Sequence, residues 1–245
     1  MLVLAPVFVL EAFVAPVGQR LRALIETASG VVAALVTGYL VALPFYTDRS
    51  FVAVYARMID WYDVGSSLYP FTSANAFNLY ALFADFFAPD TQPVAFVPLK
   101  YWADAAFIAI GAAILARYAR LRDDRALLEA CFLTLLAFFL VLTEMHERYL
   151  IYALTFAPAL APLDRRYLWT AIVLTVTQWL NLEYSLSYMW IESDKPAGSN
   201  PKEFAPVLVR LCTLANITVF GLAMRMYFGV RRALPATTGT LPTDQ

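Results

Sequence analysis

The sequence predicts an all-α, polytopic bundle of transmembrane helices, and three observations carry that fold class. Of 245 residues, 61% are hydrophobic and 15% charged, and the mean hydropathy is +0.62, far more apolar than a soluble domain of this size. The apolar residues gather into about seven runs, several near the roughly 20 residues that span hydrocarbon. Arginines cluster at alternate ends of those runs, as the bias of short cytoplasmic loops requires.

In chain order the runs cover residues 2–17, 28–46, 101–116, 127–143, 149–163, 167–184 and 204–228. The first is interrupted by Glu11 and lacks the basic region and small-residue cleavage site of a signal peptide, so the chain is expected to begin mid-protein. Between the second and third runs, residues 47–98 form a connection too long to be passive, and it is expected to lie on the membrane surface. Phe51 to Trp61 reads as a short interfacial helix there. Across 71–87, Asn75, Asn78, Leu82 and Asp85 share one helical stripe, while Phe77, Tyr80, Ala81, Ala84 and Phe87 share another, which predicts a second interfacial helix. Residues 191–203 hold Pro196, Gly198, Asn200 and Pro201 and read as a turn-rich cap. The chain reads as one transmembrane domain over 1–245, with 233–245 a flexible cytoplasmic tail.

Arg20 and Arg22, then Arg117, Arg120, Arg122 and Arg125, then Arg165 and Arg166, and finally Arg225, Arg231 and Arg232 all fall on one side of this alternation. That side is assigned to the cytoplasm, with the C-terminus, and the opposite side to the periplasm or a lumen. Arg49, Arg57, Lys100, Arg148, Lys195 and Lys202 fall on the outer side, in longer stretches rich in carboxylates. Lys and Arg total 18 against 19 for Asp and Glu, which leaves no basic surplus for a nucleic-acid backbone. Cys131 and Cys212 lie within apolar runs and behave as small hydrophobes.

The densest polar cluster is Glu144, His146, Glu147 and Arg148, just outside the fourth run. His146 is the single histidine of the chain. A continued helix would put Glu144 on one face with Glu147 and Arg148 and aim a cation and an imidazole at the outer interface. The bland alternative is a charged helix end anchored among headgroups. One histidine with scattered carboxylates lacks metal-ligand spacing, so no metal and no cofactor is expected. Arg210 lies inside the last run, where an unpaired charge is costly. A lipid phosphate would partner it, and the alternative is snorkelling. Gln178, Asn181 and Glu183 read as helix-to-helix contacts, and Lys100 with Asp104 as a local ion pair. Tyr101, Trp102, Tyr149, Tyr152, Tyr167, Trp169, Tyr188 and Trp190 sit at run ends as an aromatic belt.

The stretch Met145-His146-Glu147-Arg148-Tyr149-Leu150, followed by an apolar run with Pro158 and Pro162, resembles the His-Glu-Arg-Tyr stretch of bacterial membrane glycosyltransferases of the GT-C superfamily. Ser73-Ala74-Asn75-Ala76-Phe77-Asn78-Leu79-Tyr80 resembles a second stretch of the same proteins, in an outer loop ahead of the histidine motif. The resemblance implies transfer of a hexose, such as mannose, from a polyprenyl-phosphate-sugar donor at the periplasmic face. His146, Glu147 and Arg148, with Arg210, Asn75 and Asn78, would bind the donor. It also implies a chain that is the C-terminal portion of a longer protein, whose catalytic acid lies earlier or in a partner subunit. Otherwise Asp48, Asp60 or Asp63 takes that role. Two other functions remain open: a non-catalytic accessory or scaffold subunit, and a transporter or lipid-linked-sugar flippase component using Glu11, Glu183 and Arg210.

Overall fold

In the computed structural model, which describes residues 4–14, 17–193 and 205–229, the apolar runs become helices whose ends are set by local polar groups. The side chains at 11, 12, 14, 62, 63, 65–68 and 188–193 are not among those described. The expectations for Glu11, Asp63, Tyr188, Trp190, the 191–203 cap and the 233–245 tail therefore lie outside the described residues.

The helices are α1 (Ala5–Val14), α2 (Arg20–Ala42), α3 (Phe51–Leu68), α4 (Leu99–Leu121), α5 (Asp124–Val141), the short α6 (Leu150–Leu154) and α7 (Ala157–Leu160), α8 (Arg165–Ser193) and α9 (Pro206–Phe228). Ser50 starts α3 by accepting from the Ala53 amide at 3.3 Å, and Asp123 starts α5 by accepting from the Ala126 amide at 2.7 Å. Arg122 ends α4 in the left-handed region, at φ 57°, with its amide on the Tyr118 carbonyl at 3.0 Å, so the chain reverses directly into α5.

α5 is the centre of the core. Phe132, Leu133, Leu136 and Phe139 are fully buried, and residues 129–137 are buried without interruption. α4, α6, α7 and α9 pack around it, and α8 packs on α9 and α7. The passages from α4 to α9 alternate between two ends of the bundle. At the arginine-rich end, Arg125 of α5 reaches Asp164 beyond α7 at 3.3 Å, and Arg117 of α4 donates to the Gly229 carbonyl after α9 at 3.1 Å. At the other end lie the start of α4, the end of α5, Glu144 to Arg148, and the segment 69–98.

Three helices are long and apolar enough to cross a membrane among the described residues: Val17–Phe45, Leu99–Leu121 and Pro206–Phe228. Their outward side chains fit a hydrocarbon surround, since Leu24, Val32 and Leu40 on α2, and Leu211, Leu214 and Leu222 on α9, are exposed. The other runs depart from the expectation for identifiable reasons. α5 carries Asp124, Arg125 and Glu129 in its first two turns. The 149–163 run breaks between α6 and α7 ahead of Pro158, so neither piece alone is long enough to span. α8 carries Gln178, Asn181 and Glu183 from its middle onward.

The short interfacial helix expected over 51–61 extends to Leu68 as α3. The helix expected over 71–87 does not form. Phe71 to Asn78 is extended and then turning, with only a 3-10 turn at Leu79–Leu82. Residues 72–78 are all buried, so this segment is a plug in the end of the bundle and not a surface helix.

Candidate functional site

The site begins with a change of backbone direction. α5 stops at Val141, Leu142 is extended (ψ 152°), and Glu144 adopts φ 63°. A left-handed glutamate is uncommon and is held here by its amide, which donates to the Phe71 carbonyl at 2.8 Å. Met145 and His146 then form strand β2 (Met145–His146), which pairs in parallel with β1 (Ser73–Ala74). Ala74 stands opposite His146, and Asn75 bridges to His146 as well. The two segments singled out from the sequence thus lie side by side. The helical face expected to unite Glu144 with Glu147 and Arg148 is absent, because the helix ends before Glu144.

The plug is fixed from α8 and α9 by side-chain amides. Asn181 accepts from the Phe77 amide at 3.0 Å and donates to the Asn75 carbonyl at 2.6 Å. Asn216 donates to the Phe77 carbonyl at 3.1 Å and accepts from Thr177 Oγ1 at 2.6 Å. Gln178 donates to the Glu147 carbonyl at 3.0 Å. Gln178 and Asn181 therefore hold the two site segments and do not join helices as expected, while Glu183 is exposed. Asn78 is fully buried; its Oδ1 accepts from the Tyr80 amide at 3.2 Å and its Nδ2 donates to the Leu142 carbonyl at 3.5 Å, which makes it a support for the plug.

The His146 ring lies between Tyr69, at 4.8 Å between centroids, and Tyr149, at 5.5 Å, both edge-on. Its Nδ1 is 3.9 Å from Glu147 Oε2, and Arg148 Nη1 is 3.4 Å from Glu147 Oε1. Burial, and secondarily the Arg148 charge, hold the imidazole below its ordinary pKa, with Glu147 pulling the other way. Arg148 is exposed and lies 5.5 Å from the Tyr149 ring. Glu144 is half-buried, and burial followed by repulsion from Asp90 pushes its carboxyl above the usual range. Asp90 is fully buried with one oxygen on Thr143 Oγ1 at 3.1 Å. Sequence reasoning missed Asp90, whose place opposite Thr143 depends on how the 69–98 segment folds back.

Three further expected residues do not join this cluster. Asp48 and Asp60 line a separate pocket of about 260 Å³ with Arg57 and Tyr46. Hydrogen bonds from Ser50 hold the Asp48 carboxyl below its ordinary value. Arg210 is exposed on α9, on the face opposite the buried Val209, Cys212, Thr213 and Asn216. No ion pair joins Lys100 to Asp104 among the described residues. No group of three or more His, Cys, Asp or Glu able to hold a metal ion occurs among the described residues. Two buried acceptors beside His146 and Glu147, Asn75 Oδ1 and Gln178 Oε1, have no hydrogen-bond partner among the described residues.

No family model, curated protein or solved structure matches this chain.

Proposed function

We propose that the chain is the donor-binding part of an integral-membrane glycosyltransferase, which passes a hexose such as mannose from a polyprenyl phosphate to an acceptor at the outer face of a bacterial inner membrane. The observation that carries this reading is the β1–β2 pairing, which sets Asn75 against His146 from two distant stretches. On a reading of about seven crossings with the arginine-rich end and the C-terminus in the cytoplasm, this junction would face the outer headgroups.

In that reaction the sugar C1–phosphate oxygen bond breaks as a C1–acceptor oxygen bond forms. The lipid phosphate leaves with the electron pair, and the acceptor proton passes to a carboxylate. Arg148 is exposed and permanently charged, so it can meet the phosphate, while His146 donates a hydrogen bond to it. Glu144 suits the base role better than Asp48, because a carboxyl held above its usual range takes a proton more readily than one held below it. Asn75 Oδ1 and Gln178 Oε1 are acceptors that hydroxyl donors of a sugar would satisfy if the plug shifts.

The experiment is transfer of radiolabelled hexose from polyprenyl-phosphate-hexose in membranes containing the native gene product, with and without His146→Ala. Loss of transfer at unchanged expression is the expected result. Unchanged transfer would remove His146 from the reaction and favour an accessory role for the chain.

A further inference from the structure

A cavity of about 570 Å³ lies at the end of the bundle opposite His146, between α8 and α9. Trp169, Val173, Val219 and Leu222 wall it, and Arg166 and Arg225, both exposed, line it at its arginine-rich end. Trp169 and Leu222 are exposed, so the groove opens sideways, toward the surface that hydrocarbon would cover.

The two arginines differ in what they already hold. Arg166 donates to both oxygens of Asp164, at 3.0 Å from Nε and 2.6 Å from Nη2, which leaves part of its fork for another anion. Arg225 makes no ion pair among the described residues. Arg165 is exposed one residue before Arg166, and Arg117 is anchored nearby on the Tyr227 and Gly229 carbonyls. The lining therefore combines cationic side chains with apolar walls that include an indole.

We propose that this groove holds a glycerophospholipid with a net negative headgroup, its phosphate on Arg225 and Arg166 and one acyl chain against Trp169, Val173 and Leu222. Charge complementarity selects the anionic headgroup, and the sideways apolar opening selects a lipid over free phosphate. The site lies at the other end of the bundle from the proposed sugar transfer and does not rest on that reading.

The test is native mass spectrometry of the full chain released from nanodiscs of equimolar palmitoyl-oleoyl phosphatidylglycerol and phosphatidylcholine. The wild-type chain is expected to retain phosphatidylglycerol about fivefold over phosphatidylcholine, the ratio that one surface arginine contributes. Arg225→Gln is expected to abolish that preference, and Leu222→Trp, which fills the groove wall and leaves the charges alone, to lower retention of both lipids. Arg20→Gln, on α2, is expected to leave the preference intact. Equal retention of the two lipids by the wild-type chain overturns the proposal. So does a preference that survives both Arg225→Gln and Leu222→Trp, an equal effect of Arg20→Gln, or displacement of the lipid by millimolar inorganic phosphate.

Discussion

His146 is held between two tyrosine edges with its imidazole below the ordinary pKa, so near neutral pH it is an uncharged hydrogen-bond donor beside a permanently charged Arg148. Removing a donor of this kind from a developing phosphate charge costs roughly 100- to 1,000-fold in rate. His146→Ala is accordingly expected to lose transfer by that factor, measured with saturating donor in membranes. Glu144 titrates in the opposite sense. Its raised pKa means that its basic form is present only above a pH higher than the ordinary value of 4.5, so transfer should rise with pH through that raised value. Glu144→Gln should lower the rate and remove this acidic limb of the pH profile, whereas an unchanged limb would take Glu144 out of the base role. The His146 to Arg148 cluster was legible in the sequence because its residue types stand out against apolar neighbours. The Glu144 environment was not, since the raised pKa comes first from burial and then from Asp90, which the fold brings back from the far end of the plug.

Helix boundaries followed from local chemistry, and Ser50 and Asp123 cap α3 and α5 as their residue types allow. The plug was misread because periodicity reports which face of an element is buried, and 72–78 is buried on every side. Its apolar and polar residues answer instead to partners on α5, α8 and α9. Asn181 is the strongest of these, holding both Phe77 and Asn75 by their backbone. Asn181→Ala leaves the buried Phe77 amide without an acceptor and should destabilise the plug by about 1–3 kcal/mol. Limited proteolysis in detergent should then cut within 69–98 faster than in wild type, while α5 stays protected. Phe132→Ala, at the fully buried centre of α5, should act on the whole bundle and cost about 3–5 kcal/mol in a thermal unfolding measurement. A loss no larger than that of an exposed substitution would mean that α5 is not the core.

Alternating arginine clusters predicted a chain that runs back and forth, and the contacts from Arg125 to Asp164 and from Arg117 to Gly229 bring one set of turns together. The number of crossings was less legible, because helices that pack inside a bundle tolerate the carboxylates and amides that a lone lipid-facing helix excludes. Sidedness is directly measurable. Both native cysteines are buried, so introduced thiols should label against a silent background. Phe96→Cys, in the fully exposed tip before α4, should react with an impermeant maleimide added outside intact cells, and Arg122→Cys only after permeabilisation. Reaction of both from the same side would refute the alternation. The parallel pairing of Ser73 with Met145, fastened by Asn181 and Asn216, also sets an order of events during synthesis. At about 5–20 residues per second, the ribosome needs roughly 5–30 s after making the plug to complete the helices that receive it. Until then the Asn75 and Phe77 backbone groups lack their Asn181 and Asn216 partners, so a period of vulnerability to proteases and misassociation is built into the biogenesis of the protein.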